Sequence, residues 1–412
     1  MTYPTTSPEL TLDFAKTERL DPRVTFSRSS SATYVGHDGL IKTAPDDVAR
    51  FEYDSDGKCL GLLIEEARTN YCEFSAIDPT NWSENGTASL ALSAVSSPDG
   101  TACYDLTTDS SGPNSVRLLS SSTPASGKVS LSVYARFPNS GFTALNIRIF
   151  SSVNMYADYY PATGTWSGAA NCTTIPPQQL GNGWVRLTIV STNDATGSSH
   201  EVRIGGNING PTFTNETCQV WGAQVEAGTF PTSYIPTSGS TVTRAADLTS
   251  ITGTNFSSWY NQSEGSLSAQ YICNGGTVGN FNIWDGAGND LNYWSIGVHS
   301  QAGGKMSFRT RSSQGTAAGS YFRGRIDRDN NLSEVIKIAA AINTDDFAAF
   351  TSSSSGDTNL NTGSSVPAPG GYLPPSVDRF ILTNDLAASI HISRLTYYPE
   401  RVSDESLEAI TA

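Results

Sequence analysis

Few side chains in this 412-residue chain stand in patterns that do chemistry. A nucleophilic serine elbow needs GxSxG, a zinc protease HExxH, and a phosphate cradle a Gly-rich loop ahead of a helix; none occurs. The histidines His37, His200, His299 and His391 are scattered, and each is expected in a turn or on the surface. Cys59, Cys72, Cys103, Cys172, Cys218 and Cys273 form no CxxC pair and are expected as small buried hydrophobes, without a disulfide framework or a zinc site. A glycan hydrolase sets two carboxylates about 5 to 9.5 Å apart across a cleft. Several aspartates here instead sit in turn sequences such as Asp38-Gly39, Asp54-Ser55-Asp56-Gly57 and Asp285-Gly286, where the carboxylate serves the backbone. No catalytic residue is assigned.

Two groups of side chains are candidates for binding. Asp285, Asn289, Asp290 and Asn292 place oxygen donors in one Gly-containing loop, the ligand type that Ca²⁺ takes. Their spacing is not that of an EF-hand, so a plain turn stands beside calcium as the reading, and no other cofactor is implied. Sugar faces stack on exposed rings while their hydroxyls need polar partners. Trp166, in a Gly-rich turn sequence, and Tyr293 and Trp294, beside Asn292, are the candidate glycan contacts. Trp184, Trp221 and Trp284 fall in strand patterns and are expected in cores.

The elements that must position these residues read as strands. Charged residues make up only 16% of the chain, where about 25% is usual, and the deficit is filled by Ser, Thr, Asn and Gly. Helices need charged residues on their wet faces, whereas strands and turns use neutral polar ones. Val129-Ser130-Leu131-Ser132-Val133-Tyr134-Ala135 alternates cleanly, as a half-buried strand does. Short strands of this kind recur from Ser89 to Val225 and again from Ser266 to Tyr398, with Gly, Asn, Ser and Pro between them, the pattern of sandwiches and jelly rolls. Ser266–Ile272 and Phe281–Trp284 read as separate strands. Val335–Ile342 turns at Asn343-Thr344-Asp345-Asp346 into Phe347–Phe350, a hairpin. Only the tail from Ser403 to Ile410 reads as helix, with Ser403 as N-cap and acidic residues in the first turn.

The net charge of −14 is spread evenly along the chain. Without clustered Lys and Arg, neither nucleic acid nor an anionic membrane surface is an expected partner. No run approaches the ~20 apolar residues of a membrane span, so no membrane insertion is expected. The first residues, MTYPTTSPELTL, have neither the basic start nor the apolar run of a secretory signal.

Three stretches carry resemblances. FSRSSSATYVGHDGLIKTAPDDVARFEYD (26–54), followed by GLLIEEARTNY (61–71), resembles a module found near the start of head-fibre, tail-fibre and other appendage proteins of tailed bacteriophages. GNGWVRLTIVS (181–191) and WGAQVEAGTFPTSYIPTSGSTVTRAAD (221–247) resemble the carbohydrate-binding-module-like sandwiches of phage appendage proteins, with Pro231 and Pro236 in an exit linker. HISRLTYYPERVSDESLEAITA (391–412) resembles the close of concanavalin-like or laminin-G-like jelly rolls.

The expected architecture is therefore all-β: an N-terminal short-strand attachment segment (1–75), a carbohydrate-binding-module-like sandwich (76–243) and a laminin-G-like jelly roll with a short C-terminal helix (244–412). The resemblance implies a non-enzymatic bacteriophage virion structural protein, a head or tail fibre or spike that presents its sandwiches to host-surface glycans. A capsid decoration or cementing protein is the alternative, and a polysaccharide-degrading enzyme a more remote one. The partners implied are other virion proteins and host surface polysaccharide, in a homo-oligomer with a trimer favoured. The location implied is the virion, assembled in the host cytoplasm.

Overall fold

The computed structural model describes residues 2–412 apart from 112–113, 121–123, 125–126, 140, 151–153, 195–199, 207–211, 286–291, 300–304, 313–319, 330–333, 344–345, 354–357, 364–372, 375 and 383–386. Antiparallel strands build nearly all of it, in two β-sandwiches. In the first, one sheet runs in the order Cys172–Gln179, Trp184–Ser191, Val129–Arg136, Glu216–Ala227, Ala102–Thr108, Ser89–Ser96. The facing sheet runs Thr165–Ala170, Met155–Tyr160, Leu145–Phe150, His200–Gly205, Ser115–Ser120, Ser83–Asn85. Leu131, Val133, Leu187 and Ile189 of the first sheet meet Ile147, Ile149, Val202 and Ile204 of the second in one core.

The strand Val129–Arg136 keeps the alternation seen in its sequence, but its polar face does not meet solvent. Ser130, Ser132 and Tyr134 are as buried as Leu131 and Val133. The neighbouring strand Trp184–Ser191 is likewise buried on both faces, Arg186 and Thr188 included. The second face of this sheet is thus an internal polar surface, covered by other parts of the chain.

The second sandwich is organised around Glu264–Trp284, a single 21-residue strand that belongs to both of its sheets. Its first part lies between Val335–Asn343 and Ala387–Tyr398, and its last part between Arg379–Ile381 and Tyr293–His299. Sequence reading splits this strand in two, because Asn274-Gly275-Gly276 looks like a terminator. Instead the glycines bend it, at a register shift, from one sheet to the other. A Cβ on Gly275 would lie 2.2 Å from Phe230, so the bend also admits a ring from the first sandwich.

Strands from the N-terminal segment complete these sheets. The free edge of Ala387–Tyr398 takes Cys59–Glu65 along its first half and Leu10–Asp13 along its second. Arg50–Tyr53 pairs outside Cys59–Glu65, and Thr25–Ser27 extends the opposite sheet beside Leu248–Thr252. The hairpin Ala32–Val35 with Ile41–Ala44 leans the other way: Val35 and Ile41 pack against Tyr134, Leu180, Trp184 and Trp221 of the first sandwich.

The hairpin Val335–Asn343 with Phe347–Ser353 and the helix Asp404–Thr411 form as the sequence leads one to expect. Ser403 caps the helix by accepting from the Ser406 amide. The apolar run Val335–Ile342 has no alternation because both faces are covered. Ile336, Ile338 and Ile342 enter the sandwich core, while Ala339 and Ala341 lie under Leu407 of the helix. All six cysteines are buried and free. No helix among the described residues is long and apolar enough to cross a membrane.

Candidate functional site: the polar junction between the sandwiches

The internal polar surface of the first sandwich, the N-terminal segment and the crossing chain 228–247 meet in a junction rich in buried charge. Its centre is Arg50, from the strand Arg50–Tyr53. Arg50 Nη2 donates to Asp247 Oδ2 at 2.6 Å, and Nη1 donates to Glu65 Oε2 at 2.9 Å, to the Thr33 carbonyl at 2.8 Å and to Ser233 Oγ at 2.8 Å. Arg28 Nη1 donates to the other Asp247 oxygen at 3.1 Å. Arg244 approaches Glu65 Oε2 at 3.5 Å. Glu65 also accepts from the Ser233 amide and hydroxyl at 2.8 and 2.7 Å. All five charged side chains are essentially inaccessible to water.

Burial alone would push the Glu65 carboxyl up. The Arg244 and Arg50 charges and the Ser233 hydrogen bonds outweigh it and hold Glu65 below the usual carboxylate range. For Arg50, burial opposes the charge, and the facing Asp247 and Glu65 carboxylates overcome it and raise the pKa. Arg244 is lowered, because burial prevails there over Glu65.

The partners come from far apart in the chain. Arg28, Arg50 and Glu65 belong to the N-terminal segment, Ser233 to the exit of the first sandwich, and Arg244 and Asp247 to the entry of the second. The exit sequence is therefore no free linker, which corrects the reading of Pro231 and Pro236. Thr232, Tyr234, Ile235 and Thr237 between and beside those prolines are buried. Asn70 holds this segment by donating to the Ile235 carbonyl at 2.8 Å, and Thr33 Oγ1 donates to the Tyr234 carbonyl at 2.6 Å.

A second polar group lies beside the charge cluster. Glu52 Oε1 accepts from the Val35 amide at 2.8 Å, and Glu52 Oε2 meets His391 Nε2 at 2.6 Å. His391 Nδ1 faces the Asn274 amide nitrogen at 3.1 Å. An amide N–H can only donate, so Nδ1 accepts and Nε2 carries the hydrogen given to Glu52. Between these residues and the first sandwich is a cavity of about 390 Å³. Arg186 forms part of its wall, donating to the Thr232 carbonyl at 2.7 Å and to Ser132 Oγ at 2.8 Å, while its buried Nε has no hydrogen-bond partner.

The residues singled out from sequence lie elsewhere. Trp294 is fully buried and donates to the Tyr260 hydroxyl at 3.2 Å, so its ring offers no face to a sugar, a correction set by its place in the second core. Tyr293 is half-buried beside it. Trp166 packs against the first core and spends its N–H on the Ile175 carbonyl at 3.1 Å. Trp184 and Trp221 are core residues as expected; Trp284 is half-buried.

Asn292 donates to Asp285 Oδ2 at 2.6 Å, closing the loop between two strands, while Asn289 and Asp290 lie outside the described residues. Among the described residues no group of three or more His, Cys, Asp or Glu side chains is placed to hold a metal ion. His37 is exposed, but His391 and His200 are buried, against the surface expectation. The His299 side chain is outside the described set. Burial lowers the His200 pKa to about 4. Sequence reading missed the junction. Its partners come from segments far apart in the chain, and no local pattern reveals them.

No protein-family model matches the chain, and no curated protein does. Among solved structures it is similar to the CBM22-1 xylan-binding domain of Xyn10C from Paenibacillus barcinonensis, at 14% identity and a TM-score of 0.25, over 38% of this chain and 90% of that one. The tandem CBM22-1-CBM22-2 domains of the same protein give 11% identity and a TM-score of 0.25, over 80% of this chain and 96% of that one. Domains LG4-5 of the mouse laminin α1 chain give 11% identity and a TM-score of 0.19, over 71% of this chain and 86% of that one. At these scores the likenesses add nothing to the all-β sandwich architecture that the sheets themselves display.

Proposed function

We propose that this chain is a non-enzymatic bacteriophage virion structural protein, of head-fibre, tail-fibre or spike type, that holds two β-sandwiches in a fixed arrangement for attachment to host-surface glycans. One observation carries the reading. Residues within the stretches that carry the N-terminal resemblance build the junction: Arg28 beside the Ser-rich run, Arg50 of the same stretch, and Glu65 and Asn70 of the exit sequence. Such a module acts as a clamp, supplying strands to one sandwich and a packed hairpin to the other. A protein that must present domains on a particle gains from a rigid junction, and fold alone does not choose what those domains bind. Its partners are other virion proteins and, within a closed homo-oligomer, copies of itself, with a trimer first.

The test is adsorption. Purified protein should bind host cells and compete with virions for them. Protein that does neither overturns the attachment role. Imaging of particles that shows the subunits lying flat across capsomer junctions, and not protruding, replaces display by cementing.

A further inference from the structure

We propose that an outer sheet face of the first sandwich, across Leu145–Phe150, His200–Gly205 and Ser115–Ser120, binds an acidic saccharide through a row of arginines. This deepens the attachment role proposed above and rests on it. Arg148 stands directly opposite Arg203, and Arg203 directly opposite Arg117, so three neighbouring strands carry one guanidinium each in a single row. Only six basic residues occur between positions 76 and 243, and the fold gathers three of them here, although they form no charge run in the sequence. Their strand neighbours Ile147, Val202 and Val116 point into the core, so the row faces outward. Like charges directly opposite one another destabilise a sheet, and this face does little to offset them.

Glu201 is the carboxylate that meets the row. It accepts from Arg203 Nε at 2.7 Å and from Nη2 at 3.3 Å, and lies 3.6 Å from Arg117 Nη1. Asp158, a second carboxylate on this face, accepts instead from the Asn146 amide at 2.6 Å. Arg148 forms no ion pair among the described residues. Its guanidinium lies 4.7 Å from the Phe150 ring centre and 4.3 Å from that of Tyr156, and Arg203 lies 4.2 Å from Phe150. Burial pushes the Arg148 pKa below the ordinary arginine value, and the Arg203 charge adds to this against Tyr156 and Asp158. At 7% exposed, Arg148 acts on a ligand through its charge and not by contact. The contacts belong to Arg117 and Arg203, whose side chains are 44% and 19% exposed. Arg203 Nη1 has no hydrogen-bond partner among the described residues. A guanidinium fork matches a carboxylate or phosphate group. Exposed Leu119, directly opposite Glu201, sets apolar surface beside the row, which suits the C–H face of a sugar ring. The net charge of −14 opposes a dense polyanion such as nucleic acid, so a saccharide with sparsely spaced acidic groups is the better fit.

An array carrying oligogalacturonate, a glycerol-phosphate-bearing oligosaccharide, a neutral glucan and a single-stranded DNA oligomer tests this on the full chain. Arg117→Glu reverses the exposed charge of the row, and Arg203→Gln removes its central cation. Near-UV circular dichroism confirms that each variant is folded. The expected result is wild-type binding of one or both acidic saccharides in preference to glucan and DNA, with a loss of about tenfold or more in each variant. Acidic-saccharide binding that survives both substitutions overturns the arginine site. Glucan or DNA bound as tightly as the acidic saccharides overturns the ligand class. A wild type that binds none of the four overturns the inference. Host-cell adsorption separates this from the broader reading: adsorption that persists after any such failure leaves the attachment role standing, and its absence overturns that role as well.

Discussion

At the residue scale, the junction shows why buried charge needs complete pairing. Taking one ion from a buried pair costs about 3–5 kcal/mol, because its partner is left desolvated and unpaired. Arg50→Ala strands two carboxylate contacts at once, those of Asp247 and Glu65. A loss of that size is expected in urea denaturation at pH 7. His200 gives a prediction of the opposite kind. Its imidazole is buried with neither nitrogen hydrogen-bonded, and its pKa falls to about 4 from an ordinary 6.5. Between those pH values the unfolded chain binds a proton that the folded chain refuses. Stability from this site is therefore full above about pH 6.5 and declines as pH falls towards 4, by up to about 3 kcal/mol. Denaturation across that range should show the decline, and His200→Leu should flatten it. Glu65, held below its ordinary pKa of 4.5, contributes stability that is lost only at lower pH, so the two windows separate.

At the element scale, the strand Cys59–Glu65 does most to couple the parts. Its Leu62 and Ile64 enter the second core, its Glu65 enters the ion cluster, and its backbone pairs with Ala387–Tyr398. Gly61 makes the close approach feasible. It has φ +117°, and a Cβ there would lie 2.1 Å from the Ile392 carbonyl oxygen. Gly61→Ala therefore forces the two strands apart, and about 3 kcal/mol or more should be lost, read from the shift in denaturation midpoint. Sequence alternation located most strands of both sandwiches. Among those it missed are Ser115–Ser120, Cys172–Gln179, and the edge pair Met155–Tyr160 and Thr165–Ala170, in which residues such as Gly168 interrupt the two-residue period. It also divided Glu264–Trp284 at glycines that bend the strand without ending it.

At the scale of the whole molecule, residues 244–412 do not form a closed unit by themselves. Without the N-terminal strands the edge of Ala387–Tyr398 is bare, and Leu395 and Tyr397 lose the cover of Leu10, Leu12 and Phe14. An excised 244–412 is expected to show no cooperative thermal transition, or to aggregate through that edge, while the full chain unfolds cooperatively. A cooperative transition in the fragment at the temperature of the full chain would show the N-terminal strands to be dispensable. The amino-acid sequence by itself determined the all-β class, the burial of the cysteines, the C-terminal capped helix and the hairpin Val335–Ser353, because each depends on local periodicity, composition or turn chemistry. What only the tertiary structure decided was the use of the polar residues. The alternation of Val129–Ala135 marks Ser132 as belonging to a polar face, and nothing local in the sequence assigns partners to Arg28, Arg50, Glu65 or Arg186. Their partners Thr232, Ser233 and Asp247 lie up to 219 residues away, the separation of Arg28 from Asp247. Alternation states that a face is polar; only the packing of distant segments decides whether water or another part of the chain satisfies it.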